Sequence, residues 1–199
     1  MSAETAHGLL LVISGPSGVG KTTIVHRIRK QLGGQFSVSA TTRPRSAEEK
    51  EGEDYLFVTP EAFEDMVDAD AFLEYAEVFG RHAYGTPREP VEAALHAGEL
   101  ILLDIDVQGA QQVRERMPSA FMLFILPPND VELRRRLEGR GRDDEEAITR
   151  RFAEARREID LATSRDLYDA FIVNDALDRA VEEACELISA RRRVSPVQG

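Results

Sequence analysis

The sequence predicts an α/β fold, a parallel sheet flanked by helices on both faces. Three observations predict it. Four apolar runs, at residues 9–13, 100–105, 121–126 and 170–173, are near-continuous rather than alternating, as strands covered on both faces require. Helical periodicity fills the stretches between them. The first run also passes through a glycine-rich turn directly into a helical pattern, the connection that doubly wound sheets place at their ligand-binding edge. With 199 residues, 42% of them hydrophobic, the chain has enough apolar material for one domain.

The first strand, LLLVI, leads into Gly15-Pro-Ser-Gly-Val-Gly20-Lys21-Thr22, a complete G-x-x-x-x-G-K-[ST] between a strand and a helix predicted over 23–32. Glycines allow the backbone to curl and aim successive N–H groups inward at an anion. The start of the helix adds the positive end of its dipole. Lys21 carries a mobile positive charge to the β and γ phosphates, and the Thr22 hydroxyl is a Mg²⁺ ligand. Pro16 has no N–H to offer, so the later residues, Ser17 to Thr23, build the cradle. The motif specifies a nucleotide phosphate chain and leaves the acceptor open.

Residues 37–59 are polar, with β-type pieces FSVSATT and DYLFVT around turn chemistry. Residues 63–84 add a short helix and the strand-like FLEYAEVF. Together they predict a small mixed subdomain inserted between core elements. A helix over 90–96 precedes the second core strand, ILLDID, and one over 110–115 follows it. If that strand persists to its end, Asp104 and Asp106 point the same way beside the phosphate loop, toward Mg²⁺, its waters or substrate. The other reading of Asp106 is a cap on the next helix. Helices over 131–137 and 148–161 follow the third strand, the second carrying Ile148, Phe152, Ala155, Ile159 and Ala162 on one face. Between them, residues 134–151 are dense in charge around Gly139 and Gly141 and predict a flap over the site, or else a solvated helix pair with a polar turn. The acidic run 143–146 reads as capping. Ala180, Val181, Ala184, Leu187 and Ile188 form a closing helix, and the tail RRRVSPVQG is predicted to fray.

A formal charge of −11 excludes a global basic field for nucleic acid. The stretch MSAETAHG has no basic segment before its short apolar run, so neither a signal peptide nor a membrane span is predicted. The only cysteine, Cys185, reads as a small buried apolar residue. These features predict a soluble cytoplasmic protein without nucleic-acid or membrane partners.

Several stretches, in order, resemble guanylate kinases: FSVSATTR with its charged loop, GEDYLFV, FLEYAEVFG, YGT, ILLDIDVQGAQQVR, RRRLEGRGRDDEEAITRR and FIVND. The resemblance covers roughly residues 9–187. It implies a P-loop NTPase-type core (about 8–36, 98–128 and 165–190), an inserted mixed α/β GMP-binding subdomain (about 37–97) and a helical lid (about 129–164). It implies transfer of the γ-phosphoryl group of ATP to GMP with Mg²⁺. ATP would then bind Gly15, Pro16, Ser17, Gly18, Val19, Gly20, Lys21, Thr22 and Thr23, with Asn174 near adenine. Ser39 and Glu74 match base-reading positions. Arg43, Tyr55 and Tyr84 match the GMP phosphate clamp, with Thr86 and Asp106 completing the GMP set. Lys21, Arg136, Arg140 and Arg151 match catalytic positions, and Thr22 and Asp104 the metal site. In two places the chain departs from the family pattern. Arg45, a further phosphate ligand by resemblance, falls one residue early in TTRPR, and GRHAYGT has one extra residue before Tyr84. Two other readings remain at this point: a P-loop kinase for another phosphorylated acceptor, and a non-catalytic binding module of the same fold. Such modules usually lack the intact phosphate loop that Lys21 and Thr22 complete here.

Overall fold

The first apolar run folds as β1 (Leu9–Ser14), and its period-2 side chains build both layers of the core. Leu9, Leu11 and Ile13 pack on one face of the sheet, Leu10 and Val12 on the other, all buried. The structure, a computed structural model, describes residues 8–78, 80–139 and 144–193. After β1 come α1 (Lys21–Leu32), β2 (Gln35–Phe36), β3 (Ala40–Thr41), β4 (Leu56–Phe57), α2 (Pro60–Asp68), β5 (Phe72–Val78), β6 (His82–Pro87), α3 (Arg88–His96) and β7 (Leu100–Asp104). The chain continues through α4 (Val107–Arg116), β8 (Phe121–Leu126), α5 (Asp130–Glu138), α6 (Glu145–Thr163), β9 (Ala170–Val173) and α7 (Leu177–Arg193).

The main sheet is parallel, in the order β2-β7-β1-β8-β9. α1 and α7 cover the face of Leu9 and Leu11, through Ile24, Val25, Ile28, Val181 and Ile188. Val91 of α3, Val107, Ala110 and Val113 of α4 and Ala162 of α6 cover the other. The central β1 has β7 on one side and β8 on the other, so the loops after β1 and β7 meet at the carboxyl edge, where such sheets bind ligands. Among the described residues no helix is long and apolar enough to cross a membrane.

The second sheet, β4-β3-β6-β5, is mixed: β3 and β4 run parallel, and the other pairs antiparallel. Its own small core joins Ala40, Phe63 and Phe72, the two phenylalanines stacked at 4.6 Å. Leu73 of β5 and Val91 of α3 enter the main core instead, so this sheet is tied to the larger one from its outer strand.

The structure differs from the sequence reading in three places. β2 is an extra edge strand of the main sheet, too short at two residues after Gly33–Gly34 to show a period. The second core strand stops at Asp104, because Asp106 caps α4 and moves the start of that helix back to Val107. The two aspartates therefore sit on different elements and do not alternate along one strand. In the tail, Arg191–Arg193 continue α7, where basic side chains oppose the negative end of the helix dipole.

Candidate active site

The phosphate loop lies at the carboxyl end of β1. Gly20 precedes α1 at φ 93°, and a Cβ there would stand 2.7 Å from the Asn174 amide nitrogen. α2, α4, α5 and α6 each have a side-chain cap, from Thr59, Asp106, Asn129 and Asp144. α1 has none and carries no acid in its first turn, which leaves the positive end of that helix to an external anion. A cavity of about 390 Å³ opens over it, lined by residues 15–18 and 20–23 together with Asp106 and Glu158. Lys21, part of that lining, forms an ion pair with Asp104 at the end of β7. Thr22 and Thr23 are exposed toward solvent.

Two elements distant in sequence brace the loop. Asn174 is buried, and its amide donates to the Val19 carbonyl at 2.8 Å. Arg136 donates to the Val19 carbonyl at 3.2 Å, to the Asn174 carbonyl at 2.9 Å and through Nε to Glu132 at 2.7 Å. Arg135 and then Arg136 hold the Glu132 carboxyl down at about 2. Arg151 on α6 donates to the Ser17 hydroxyl at 2.7 Å. Arg140 lies outside the described residues. Three other arginines of this region pair with acids: Arg134 with Glu138 and Glu145, Arg135 with Glu132, and Arg156 with Asp130.

On the second sheet, Glu74 of β5 is 8% exposed and accepts a 2.6 Å hydrogen bond from the Thr86 hydroxyl on β6. Burial raises the pKa of its carboxyl; the Thr86 hydrogen bond works against that, and the nearby Asp106 carboxylate adds to it. Asp106 itself accepts from Gly109 N–H at 2.8 Å as the cap of α4. Ser39 is half-buried at the entry to β3. At the far end of this sheet, Arg43, Tyr55 and Tyr84 come together. The two tyrosine rings meet edge-on at 5.9 Å, and the Arg43 guanidinium lies 5.4 Å from the Tyr55 ring centre. Glu49 grips Arg43 through a two-pronged fork of 2.5 and 3.1 Å, which holds the Glu49 carboxyl down at about 2. Arg45 is exposed one residue beyond Pro44 and is not part of this cluster. The Arg43–Glu49 fork explains how the shifted loop keeps its shape: the Glu49 carboxylate also accepts from Ser46 N–H at 2.9 Å.

Sequence reasoning missed Glu158. It lines the phosphate cavity from α6, and burial raises the pKa of its carboxyl against the pull of Lys21. Its position just before the core-facing Ile159 was the available signal, but the inward direction needed the tertiary packing. Cys185 is buried and donates to the Gln31 side chain at 3.1 Å, so it serves as packing.

Residues 7–191 match the guanylate kinase family. Guanylate kinase of Escherichia coli (strain K12) is 46% identical over 190 residues, covering 94% of this chain and 90% of that protein. Guanylate kinase of Salmonella typhimurium LT2 gives the same identity over the same shares. The crystal structure of guanylate kinase from Anaplasma phagocytophilum is 33% identical, with a TM-score of 0.68, over 97% of this chain and 91% of that one.

Proposed function

The chain belongs to the guanylate kinase family, and from that premise we infer that it transfers the γ-phosphoryl group of ATP to GMP, releasing ADP and GDP. The observation that carries the reading is the buried Glu74 carboxylate, held by Thr86 on the sheet beside the phosphate loop. Guanine offers N1–H and its 2-amino group as adjacent donors, and one carboxylate accepts both. Adenine has no such pair. A buried acceptor left without its donors discriminates strongly, by ~10⁴–10⁵ in favourable sites. Ser39 donates to guanine O6, and Asp106 borders the base from the cap of α4.

Arg43, Tyr55 and Tyr84 grip the GMP phosphate; Arg45, exposed outside that cluster, would reach it only by a movement of its loop. A planar guanidinium suits two phosphate oxygens at once. The phosphate loop and Lys21 hold the ATP phosphates, and Asn174 supports the loop at the adenine end. Arg136, Arg140 and Arg151 spread positive charge over the phosphoryl group in flight. The attacking oxygen belongs to a phosphate and is already deprotonated, so no side chain has to take a proton. Thr22 and Asp104 supply the hard oxygen donors that Mg²⁺ prefers, and the ion pair of Asp104 with Lys21 puts that carboxylate at the phosphate loop. Mg²⁺ there would neutralise charge on the β and γ phosphates. We assign the activity to the cytoplasm, where nucleotides are made and a lone thiol stays reduced.

Calorimetric titration tests the acceptor assignment. GMP should bind the wild type, AMP at least about 10²-fold more weakly, and Arg43→Ala should weaken GMP without affecting ATP. Equal binding of GMP and AMP would refute it.

A further inference from the structure

β5 is the outer strand of its sheet, paired with β6 on one side only. An edge strand presents N–H and C=O groups without ladder partners. At Tyr75 a side chain from the main domain fills that gap. The Tyr75 N–H donates to the Gln112 side-chain oxygen at 3.2 Å, and the Gln112 amide nitrogen donates to the Tyr75 carbonyl at 3.0 Å. The Gln112 amide thus pairs with Tyr75 as a neighbouring strand would. Arg116, one turn further along α4, donates to the same Gln112 oxygen at 3.1 Å and to the Leu73 carbonyl at 3.4 Å. Both backbone neighbours of Glu74 are therefore held by one stripe of α4.

The third member of that stripe is Gly109, three residues before Gln112. A Cβ at Gly109 would stand 3.3 Å from Glu74 Oε2. Gly109 lies within the regular backbone of α4, so its conformation does not call for glycine. What the position needs is room for the Glu74 carboxylate and for the Ile105 side chain, which stands 3.4 Å from the same point.

We propose that Gln112 and Gly109 are positioning residues for Glu74: α4 sets where the carboxylate stands and so how well it reads the guanine 2-amino group. The proposal rests on the reading of Glu74 as the guanine acceptor. Neither residue needs to touch substrate. Gln112 fixes the strand that carries Glu74, and Gly109 bounds the far side of its carboxylate. A shift of about 0.5 Å is enough to spoil a two-point hydrogen bond of this kind.

The test compares GMP with inosine monophosphate, which lacks the 2-amino group, in steady-state assays of full-length Gln112→Met, Gly109→Ala and Glu74→Gln. Methionine keeps the volume and helix preference of Gln112 and removes both hydrogen bonds to Tyr75. Gln112→Met is expected to raise KM for GMP about tenfold and to cut the preference for GMP over inosine monophosphate by a similar factor, on the scale of two hydrogen bonds. kcat and KM for ATP stay within about threefold on the same scale. Gly109→Ala should lower the preference with the thermal midpoint little changed, alanine's helix preference being offset by its crowding against Glu74 and Ile105. A purely structural role would lower both substrates together and leave the preference intact. Should Gln112→Met not fold, Gly109→Ala decides alone. If Glu74→Gln loses the preference and the other two keep it within about twofold, a change below one hydrogen bond, the proposal is overturned. If Glu74→Gln keeps it, the base-reading assignment has failed first, and the proposal falls with it.

Discussion

Replacing Glu74 by glutamine should move activity and stability in opposite directions. Its carboxylate is 8% exposed and accepts from Thr86 at 2.6 Å. Glutamine keeps the Thr86 hydrogen bond through its carbonyl oxygen but turns an amide NH₂ donor toward the donors of guanine. Two hydrogen bonds to a charged acceptor, at about 1.5–3 kcal/mol each, are lost or weakened, so kcat/KM for GMP should fall by about 10²–10⁴. Stability follows the opposite sign. Burial raises the folded-state pKa of this carboxyl above its ordinary 4.5, so ionising it costs the folded state more than the unfolded one. That cost is absent below pH 4.5 and complete above the raised pKa. Glu74→Gln removes it, and the thermal midpoint at pH 8 should equal or exceed the wild-type value, with the gap closing toward pH 4.5. The assays are coupled ADP release and thermal melts across pH. A variant that melts lower at pH 8 yet turns over GMP normally would refute the reasoning.

Three further outcomes are expected. Lys21→Met should cut kcat by about 10²–10³ through loss of transition-state charge stabilisation, with the melt little changed because its partner Asp104 remains part-exposed; stopped-flow or steady-state turnover checks this. Gly20→Ala meets both a φ of 93° and the Asn174 amide at 2.7 Å, so it should lower stability by about 1–3 kcal/mol and weaken ATP binding, read by denaturant unfolding and nucleotide titration. Asp106→Ala removes the α4 cap at a cost of about 1 kcal/mol in unfolding experiments. It also removes a nearby negative charge, so the acid limb of the GMP pH profile, set by Glu74, should move to lower pH.

The main fold was legible because its signals are local. The run 9–13 and the motif Gly15–Thr22 place strand, loop and helix in consecutive residues, and the buried faces of β7 and β8 are continuous in sequence. β2 was not legible, since two residues carry no period and its pairing to Ile101 and Leu102 is long-range. The start of α2 had a readable signal in Thr59-Pro60, a cap followed by proline in the first turn, which the sequence reading passed over. In the site, Glu74 and the Arg43, Tyr55 and Tyr84 set came from family resemblance, because residues spread from position 43 to 84 have no local pattern that joins them. The bracing of Val19 by Arg136 and Asn174 spans 117 and 155 residues, and only packing brings those groups together. Gln112 reads in sequence as one more polar residue on a helix; its work on Tyr75 appears only once β5 lies beside α4.

The most direct test of the central claim is coupled ADP release with ATP, Mg²⁺ and each nucleoside monophosphate in turn. Rapid turnover with GMP alone is the predicted result. Equal or faster turnover with AMP, CMP or UMP, or none with GMP while ATP still binds, would contradict it.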